Sequence, residues 1–164
     1  MSIIDEDLNK FSLKLDFYSL IVSPQKKETF ITMSLNTAHF HTNAFPRTYS
    51  ILEKTIPGIF RSKCFNDEDL PFSQEVLNTE IGHLFEHIIL EYLCQIKLQK
   101  GAKKALYKGF TNWNWKKDKK GTFHIILYMN QAEQEIFAEA LDKSIKVLDY
   151  ILRFGDKISS DKLN

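Results

Sequence analysis

The stretch LNTEIGHLFEHIILEYLCQI, residues 77–96, decides the fold prediction because its apolar residues recur at helical spacing. Placed at about 100° per residue, the large apolar side chains cover a wide arc of a helix. The narrow arc that remains carries imidazole, carboxylate and thiol groups: Glu80, His83, Glu86, His87, Glu91 and Cys94. We predict one long helix from about Gln74 to Lys100, with Gly101 just past its end.

Strand-like and helical patterns lie on both sides of this helix. Residues 11–22 alternate in polarity and predict one strand with Phe11, Leu13, Leu15, Phe17 and Ile21 on one face. Thr29–Leu35 predicts its hairpin partner, and residues 105–115 and 121–129 predict a second hairpin around a lysine-rich turn. Helices are predicted over Pro46–Lys54 and from a capping box at Asn130 and Glu133 to Phe154.

The order of these elements predicts an α+β fold. Two β-hairpins would form an antiparallel or mixed sheet, and about three helices would pack on it. Residues 1–154 are expected to form a single domain, and the polar tail at 155–164 is expected to fray.

Composition narrows the class of protein. The chain has 164 residues, of which 43% are hydrophobic and 26% charged, as in ordinary globular domains. The formal net charge of +1 argues against a nucleic-acid partner, because duplex-binding proteins usually carry a strong basic bias. The chain has only two cysteines, so we expect no disulfide framework. The acidic N-terminus argues against a signal peptide, and the lack of a long apolar run argues against a membrane span. Together these features predict a cytoplasmic protein. Homo-oligomerisation stays open.

The pattern His83-x-x-Glu86-His87 indicates metal chemistry. Imidazoles four residues apart on a helix are neighbours and can bind one zinc or another divalent ion. A glutamate beside them can act as general base toward a metal-bound water. Glu91, one turn later, is a plausible third ligand, and the alternatives are His39, His41, His124 and Cys94. The alternative to a metal site is a helical face that is exposed to solvent.

The run from Thr79 to Glu91, TEIGHLFEHIILE, resembles the Gly-His-x-x-Glu-His-x-x-Leu-Glu signature of the N-terminal domain of cyanophycin synthetases. The resemblance extends over about residues 45–153 in pattern, including LEKTIPG at 52–58 and Cys64. The sequence departs from the family at Tyr92-Leu93, and Gly109–Asn112 lacks an arginine expected nearby. Both departures put polymer specificity in question.

The resemblance implies a stand-alone relative of that domain. Family members hold a polymer with an aspartate backbone and arginine side groups, and some cut it at a metallopeptidase-like site. Carried over, His83, His87 and Glu91 would bind the metal and Glu86 would be the general base. Substrate contacts are expected from Glu80, Asn112, Trp113 and Trp115. The chain has no glycine-rich phosphate loop and is not expected to be a synthetase itself.

Two functions therefore remain open from the sequence. The first is a metal-dependent hydrolase of peptide or isopeptide bonds, acting on an aspartyl-arginine polymer or a similar peptide. The second is a non-catalytic domain that binds or scaffolds such a partner. In that case the carboxylates of Glu80, Glu86, Glu91 and the acidic loop 67–69 would meet arginine groups.

Overall fold

The strands form a single antiparallel sheet in a computed structural model that describes residues 9–62 and 70–156. They are β1 (Phe11–Lys14), β2 (Tyr18–Pro24), β3 (Glu28–Leu35), β4 (Lys108–Asn112) and β5 (Thr122–Tyr128). Their order in the sheet is β1-β2-β3-β5-β4. Each neighbouring pair is antiparallel.

Four α-helices accompany the sheet: α1 (Thr48–Thr55), α2 (Phe72–Glu75), α3 (Ile81–Gln99) and α4 (Gln134–Phe154). Short 3-10 turns cover Thr42–Ala44, Pro57–Arg61 and Gln131–Glu133. This architecture confirms the α+β prediction. Within the described ranges, every helix is too short or too polar to cross a membrane.

Helix α3 packs on β4 and β5 and lies beside α4, which packs near β1, and α3 is buried along most of its length. The inner face of the sheet carries the odd-numbered residues of β3, β5 and β4, and Ile31, Met33 and Phe123 on it are fully buried. A Cβ atom on Gly82 would lie only 2.3 Å from Cγ of Phe123. Glycine at this position therefore lets the first turn of α3 approach the sheet closely. The opposite, outer face carries the even-numbered residues of the same strands.

The single strand predicted over residues 11–22 is wrong. Leu15 donates its backbone N–H to the carbonyl of Tyr18 (2.9 Å), which closes a turn between β1 and β2. The turn changes which residues face the core: Tyr18 is buried, whereas Ile21 is 41% exposed. Alternation continued through the turn residues, so the sequence pattern alone could not reveal it.

The long helix begins later than predicted, at Ile81 instead of Gln74. The backbone of residues 79–81 is instead bonded to the segment 40–42, through Thr42 N–H to Thr79 O (2.7 Å) and Ile81 N–H to Phe40 O (2.8 Å). Glu80 is consequently extended, with ψ of 143°. Residues 72–75 form α2, and Leu77, expected on the apolar arc, is 60% exposed.

The other helices and strands begin and end closer to the residues predicted from the sequence. Helix α1 differs from its prediction by one or two residues, and the lysine-rich turn does join β4 to β5. Strand β4 is shorter than predicted and ends before Trp113. Only the reciprocal half of the predicted capping box forms: the Asn130 side chain caps no backbone N–H, whereas the Glu133 carboxylate accepts a hydrogen bond from the Asn130 backbone. Glu133 also accepts a hydrogen bond from the hydroxyl of Tyr107 and pairs with Lys97 (3.2 Å).

Candidate functional site

His83 and His87 converge near the start of α3. Their Nε2 atoms lie 3.1 Å apart, and the ring centroids lie 4.7 Å apart with the planes nearly perpendicular. Four-residue spacing on a helix brings the two side chains together, as the sequence predicted. Phe72 of α2 stacks on the His87 ring at a centroid distance of 4.0 Å. The two imidazoles of α3 therefore pack against α2.

Each imidazole is held by a hydroxyl group at its other nitrogen. Ser62 Oγ lies 3.1 Å from Nδ1 of His87 and donates its own hydrogen to the carbonyl of Ile59 (2.7 Å). The hydroxyl therefore accepts from His87 Nδ1–H, which leaves a lone pair on Nε2 of His87. Thr79 Oγ1 lies 2.8 Å from Nδ1 of His83. Hydroxyls in these positions fix ring orientation in the way that outer partners of metal-binding histidines do.

Burial keeps both imidazoles neutral. Burial, with a smaller contribution from the neighbouring His83, lowers the pKa of His87 to about 3. Burial also lowers the pKa of His83, although the carboxylates of Glu75 and Glu80 oppose that shift. The neutral form is the one that binds metals.

Glu86 is buried beside strand β4, with only 5% of its surface exposed. Thr111 donates a hydrogen bond of 2.6 Å to its carboxylate. Burial raises the pKa of Glu86 to about 7, although the bond from Thr111 opposes the shift. A Cβ atom on Gly109 would lie 3.1 Å from both Cγ and Oε2 of Glu86, so the carboxylate packs directly on the β4 backbone. A carboxyl group with a pKa near neutrality suits proton transfer.

The burial of His87 and Glu86 shows that the solvated-face interpretation of this helix is wrong. His87 is only 6% exposed. The segments that cover the polar arc are α2, the turn ending at Ser62, and β4. A buried polar cluster of this kind costs free energy unless its members are hydrogen-bonded. Here Ser62 and Thr111 bond to His87 and Glu86 and so offset that cost.

Glu91 lies apart from the imidazole pair, and Glu80 is linked to it through the hydroxyl of Thr79. The carboxylate of Glu91 packs against Gly58, accepts a weak bond from Gln95 (3.4 Å), and has a pKa raised by burial. Glu80 pairs with His41 (3.5 Å) at the helix start. In residues 9–62 and 70–156, no three His, Cys, Asp or Glu side chains come together as metal ligands. Glu91 as third ligand stays a prediction.

The imidazole pair offers the type of donor that binds a divalent metal, although its hydrogen bonds place the proton of His83 on Nε2. In the neutral pair, Nε2–H of His83 donates to Nε2 of His87, and Thr79 donates to Nδ1 of His83. Metal binding would require His83 to move its proton to Nδ1. The Thr79 oxygen could then accept a hydrogen bond from Nδ1–H of His83, because its own hydroxyl hydrogen can turn to the carboxylate of Glu80 at 3.4 Å. Catalytic zinc sites use three protein ligands, and the described residues supply two.

The alternative ligands lie elsewhere. His124 pairs with Asp118 (2.9 Å) and projects from the outer face of the sheet. His39 is exposed in the loop after β3. The thiol of Cys94 bonds to the carbonyl of Ala105 (3.7 Å), and burial raises its pKa. None of these groups joins the imidazole pair within the ranges described. The acidic loop 67–69 and Cys64 lie outside the described residues.

The two tryptophans differ in their environment. Trp115 donates its indole N–H to the carbonyl of Thr122 (2.9 Å) and packs against Phe40 at 5.2 Å. It stabilises the β4–β5 turn. Trp113 is 37% exposed, and its ring packs against Trp115 and Phe123. Asn112 is exposed at the end of β4. Trp113 is accessible at the end of β4, whereas Asn112 lies on the outer face of the sheet, opposite Glu86. Substrate contact by Asn112 stays a prediction.

Sequence reasoning missed the groups that hold the site: Ser62, Thr79, Gly109 and Thr111. Thr79 lies one helical turn before His83 and was detectable from spacing. Ser62 is 25 residues from His87, and Thr111 is 25 residues from Glu86. No local pattern marks such distant partners.

Comparison with known proteins gives one positive result. The family model described as the cyanophycin synthase-like N-terminal domain matches residues 30–153, about three quarters of the chain. The matched region includes all of α3 and the hydroxyls that hold its histidines. Neither the search of curated proteins nor that of solved structures found a match.

Proposed function

We propose that this chain, which belongs to the cyanophycin synthase-like N-terminal domain family, is a metal-dependent hydrolase of peptide or isopeptide bonds. The observation that carries the proposal is the convergence of His83 Nε2 and His87 Nε2 at 3.1 Å, one residue from the buried Glu86. His83 and His87 would hold the ion. Zinc or another divalent ion would act there as a Lewis acid and acidify water.

Glu86 is assigned the proton transfer. A general base works best when its pKa lies close to the working pH. The carboxylate is fixed by Thr111 at 2.6 Å and by the backbone of Gly109. It can therefore accept a proton from an attacking water and return it to a leaving amine without reorienting. Ser62 and Thr79 orient the imidazoles and take no proton from substrate.

Strand β4 supports a peptide-like substrate. It is the last strand of the sheet, and within the described residues it pairs only with β5. Extended peptides bind such edges by adding a strand to the sheet. Because Gly109 and Thr111 of β4 contact Glu86 directly, an added strand would run past the carboxylate. The family relationship makes an aspartyl-arginine polymer the first substrate to test.

One observation favours a second function, a binding domain without turnover. The described residues provide two metal ligands, one fewer than catalytic zinc sites use. Buried and half-buried carboxylates on α3 would then serve to bind arginine groups of a peptide or polymer. This function requires binding that is unaffected by a chelator.

The test combines metal content with turnover. Zinc would be measured by elemental analysis in the wild-type protein, in His87→Ala, and in His124→Ala as a control on the outer face of the sheet. We expect near-stoichiometric zinc in the wild type and in the control, and loss in His87→Ala. Glu86→Gln should keep zinc while its hydrolysis of an aspartyl-arginine polymer falls by about 10²- to 10⁴-fold.

The outcomes separate the two functions. Zinc bound through His87 with Glu86-dependent cleavage supports the hydrolase. Polymer bound equally well with and without a chelator, with no cleavage, favours the binding domain. Cleavage by Glu86→Gln at the wild-type rate would overturn the role of this carboxylate.

A further inference from the structure

The outer face of the sheet is unusually apolar for a surface. Three aromatic side chains lie on it and are substantially exposed: Phe110 at 51%, Tyr128 at 48% and Phe30 at 39%. Ile126, half-buried, lies between the two phenylalanines on β5, the strand between β3 and β4. The helices of the described part pack on the opposite, inner face. A contiguous apolar surface of this kind usually marks an interaction site.

The residues on this face are arranged symmetrically about β5. Strands β3 and β4 flank β5 on either side, and the register pairs three outer-face residues of β5, His124, Ile126 and Tyr128, with one residue from each neighbour. The three rows across the sheet are Phe30–Ile126–Phe110, Glu28–Tyr128–Lys108 and Thr32–His124–Asn112. The flanking residues are alike in two rows, two phenylalanines in one and two small polar residues in another, and they are opposite in charge in the third, Glu28 and Lys108.

We propose that two copies of this chain associate through their outer faces, about a two-fold axis that runs parallel to β5. Rotation about this axis exchanges the β3 side with the β4 side. Phe30 of one protomer then lies over Phe110 of the partner subunit, and Glu28 lies opposite Lys108 of the partner subunit. Ile126 and Tyr128 meet their own copies. The contact is isologous, as in most homodimers.

Sheet geometry is compatible with this arrangement. The axis keeps the strands of both copies nearly aligned, and face-to-face sheets pack with their strands within about 30° of each other. Aromatic rings at such contacts contribute by burial and by offset or edge-to-face packing. The inner-face site at Glu86 is on the other side of the sheet and is left uncovered.

Charge favours a second copy over a different partner. Glu28 and Lys108 lie on the two sides of the apolar stripe and form no ion pair with each other or with another described residue. A uniformly acidic or basic partner would face one of these charges with like sign. A second copy satisfies both at once, and the net charge of +1 opposes self-association only weakly.

The size of the face sets the expected strength. Because the axis runs along β5, only β3, β5 and β4 overlap with their copies. Three strands spaced about 4.8 Å apart and about 20 Å long give a footprint of roughly 300 Å². Stable interfaces bury about 800 Å² per partner. The dimer should therefore be weak and reversible, with a Kd on the order of 1–100 µM.

The test is sedimentation equilibrium of the full chain from about 1 to 500 µM at low salt. The wild type should dimerise in this range. Lys108→Glu and Glu28→Lys should each weaken the dimer by about tenfold or more, because two like-charged pairs then face each other across the axis. The double charge exchange, which keeps the net charge of the wild type, should restore dimerisation. An equimolar mixture of the two single variants should also dimerise, because both contacts again join opposite charges.

Lys54→Glu, an exposed change on α1, alters the net charge as Lys108→Glu does but lies outside the sheet. It should leave the Kd within about twofold. A wild-type chain that is monomeric at 500 µM would overturn the proposal. So would a dimer that both single variants leave intact, or folded double variants that stay monomeric. These outcomes do not depend on metal or turnover, so they test the interface separately from the proposed hydrolase.

Discussion

The hydroxyl of Ser62 lies 3.1 Å from Nδ1 of His87 and directs its own hydrogen to the carbonyl of Ile59. This relationship determines which nitrogen of His87 carries the proton and turns the lone pair of Nε2 toward His83. The position of Ser62 therefore leaves Nε2 of His87 without a proton, which is the form of this nitrogen that binds a metal.

Removal of this hydroxyl should weaken metal binding. We predict that Ser62→Ala lowers zinc affinity by about 10- to 100-fold, because His87 loses the partner that fixes its tautomer and ring orientation. Competition titration with a zinc-sensitive dye would measure the effect. Ser50→Ala, which removes an exposed hydroxyl bonded to the carbonyl of Arg47, should leave affinity unchanged. Equal zinc affinities for the two variants would contradict the assigned role of Ser62.

The pH dependence of stability should reveal buried Glu86. In metal-free protein its pKa is raised to about 7 by burial, whereas the unfolded group titrates near 4.5. Between these values the folded state binds more protons than the unfolded state, so this group's contribution to stability falls as pH rises. Glu86→Gln removes that loss. The variant should match the wild type near pH 4 and exceed it by roughly 1–3 kcal/mol near pH 8.

Urea denaturation in the presence of a chelator at pH 4, 6 and 8 would measure this difference. The buried histidines act in the opposite sense as pH rises, since their pKa values are lowered, but they are present in both proteins. The difference between variant and wild type therefore isolates Glu86. Glu139→Gln, an exposed change on α4, serves as the control. A difference that does not change with pH would show that Glu86 is not buried as described.

Gly82→Ala should destabilise the fold even though alanine favours helices. Alanine gains up to about 1 kcal/mol over glycine within a helix. At this position, however, the added Cβ would lie 2.3–2.7 Å from Cγ, Cδ1 and Cβ of the buried Phe123. Overpacking of this kind costs about 1–3 kcal/mol or more, so the clash should outweigh the helix preference. Thermal and urea unfolding would test the sign, and a variant at least as stable as the wild type would contradict the packing.

The two tryptophans should respond differently to substitution. Trp115→Phe loses the indole N–H bond to the carbonyl of Thr122 and part of the contact with Phe40. We expect a loss of about 1–2 kcal/mol in the free energy of unfolding. Trp113→Phe, at a more exposed position, should cost less than about 1 kcal/mol. Chemical denaturation of both variants provides the comparison, and equal losses would remove the distinction between structural and accessible tryptophan.

Much of the architecture was predictable from local periodicity. A 3.6-residue repeat identified the central helix and a two-residue repeat identified the sheet, since both repeats arise from backbone geometry. The strand pair 11–24 was misread because Leu15 and Phe17 continue the alternation through the turn. The start of α3 was misplaced because residues 79–81 satisfy their backbone hydrogen bonds with the distant segment 40–42.

For the site, the sequence by itself determined that His83, Glu86 and His87 share one side of a helix. The spacing of residues along a helix sets the direction in which each side chain points from its axis. Only the tertiary structure decided that this side is buried, that Ser62 and Thr111 hold it, and that Glu91 points away toward Gly58. These outcomes depend on contacts between segments far apart in the chain. Such contacts are set by how the helix and sheet pack together, and no short stretch of sequence encodes them.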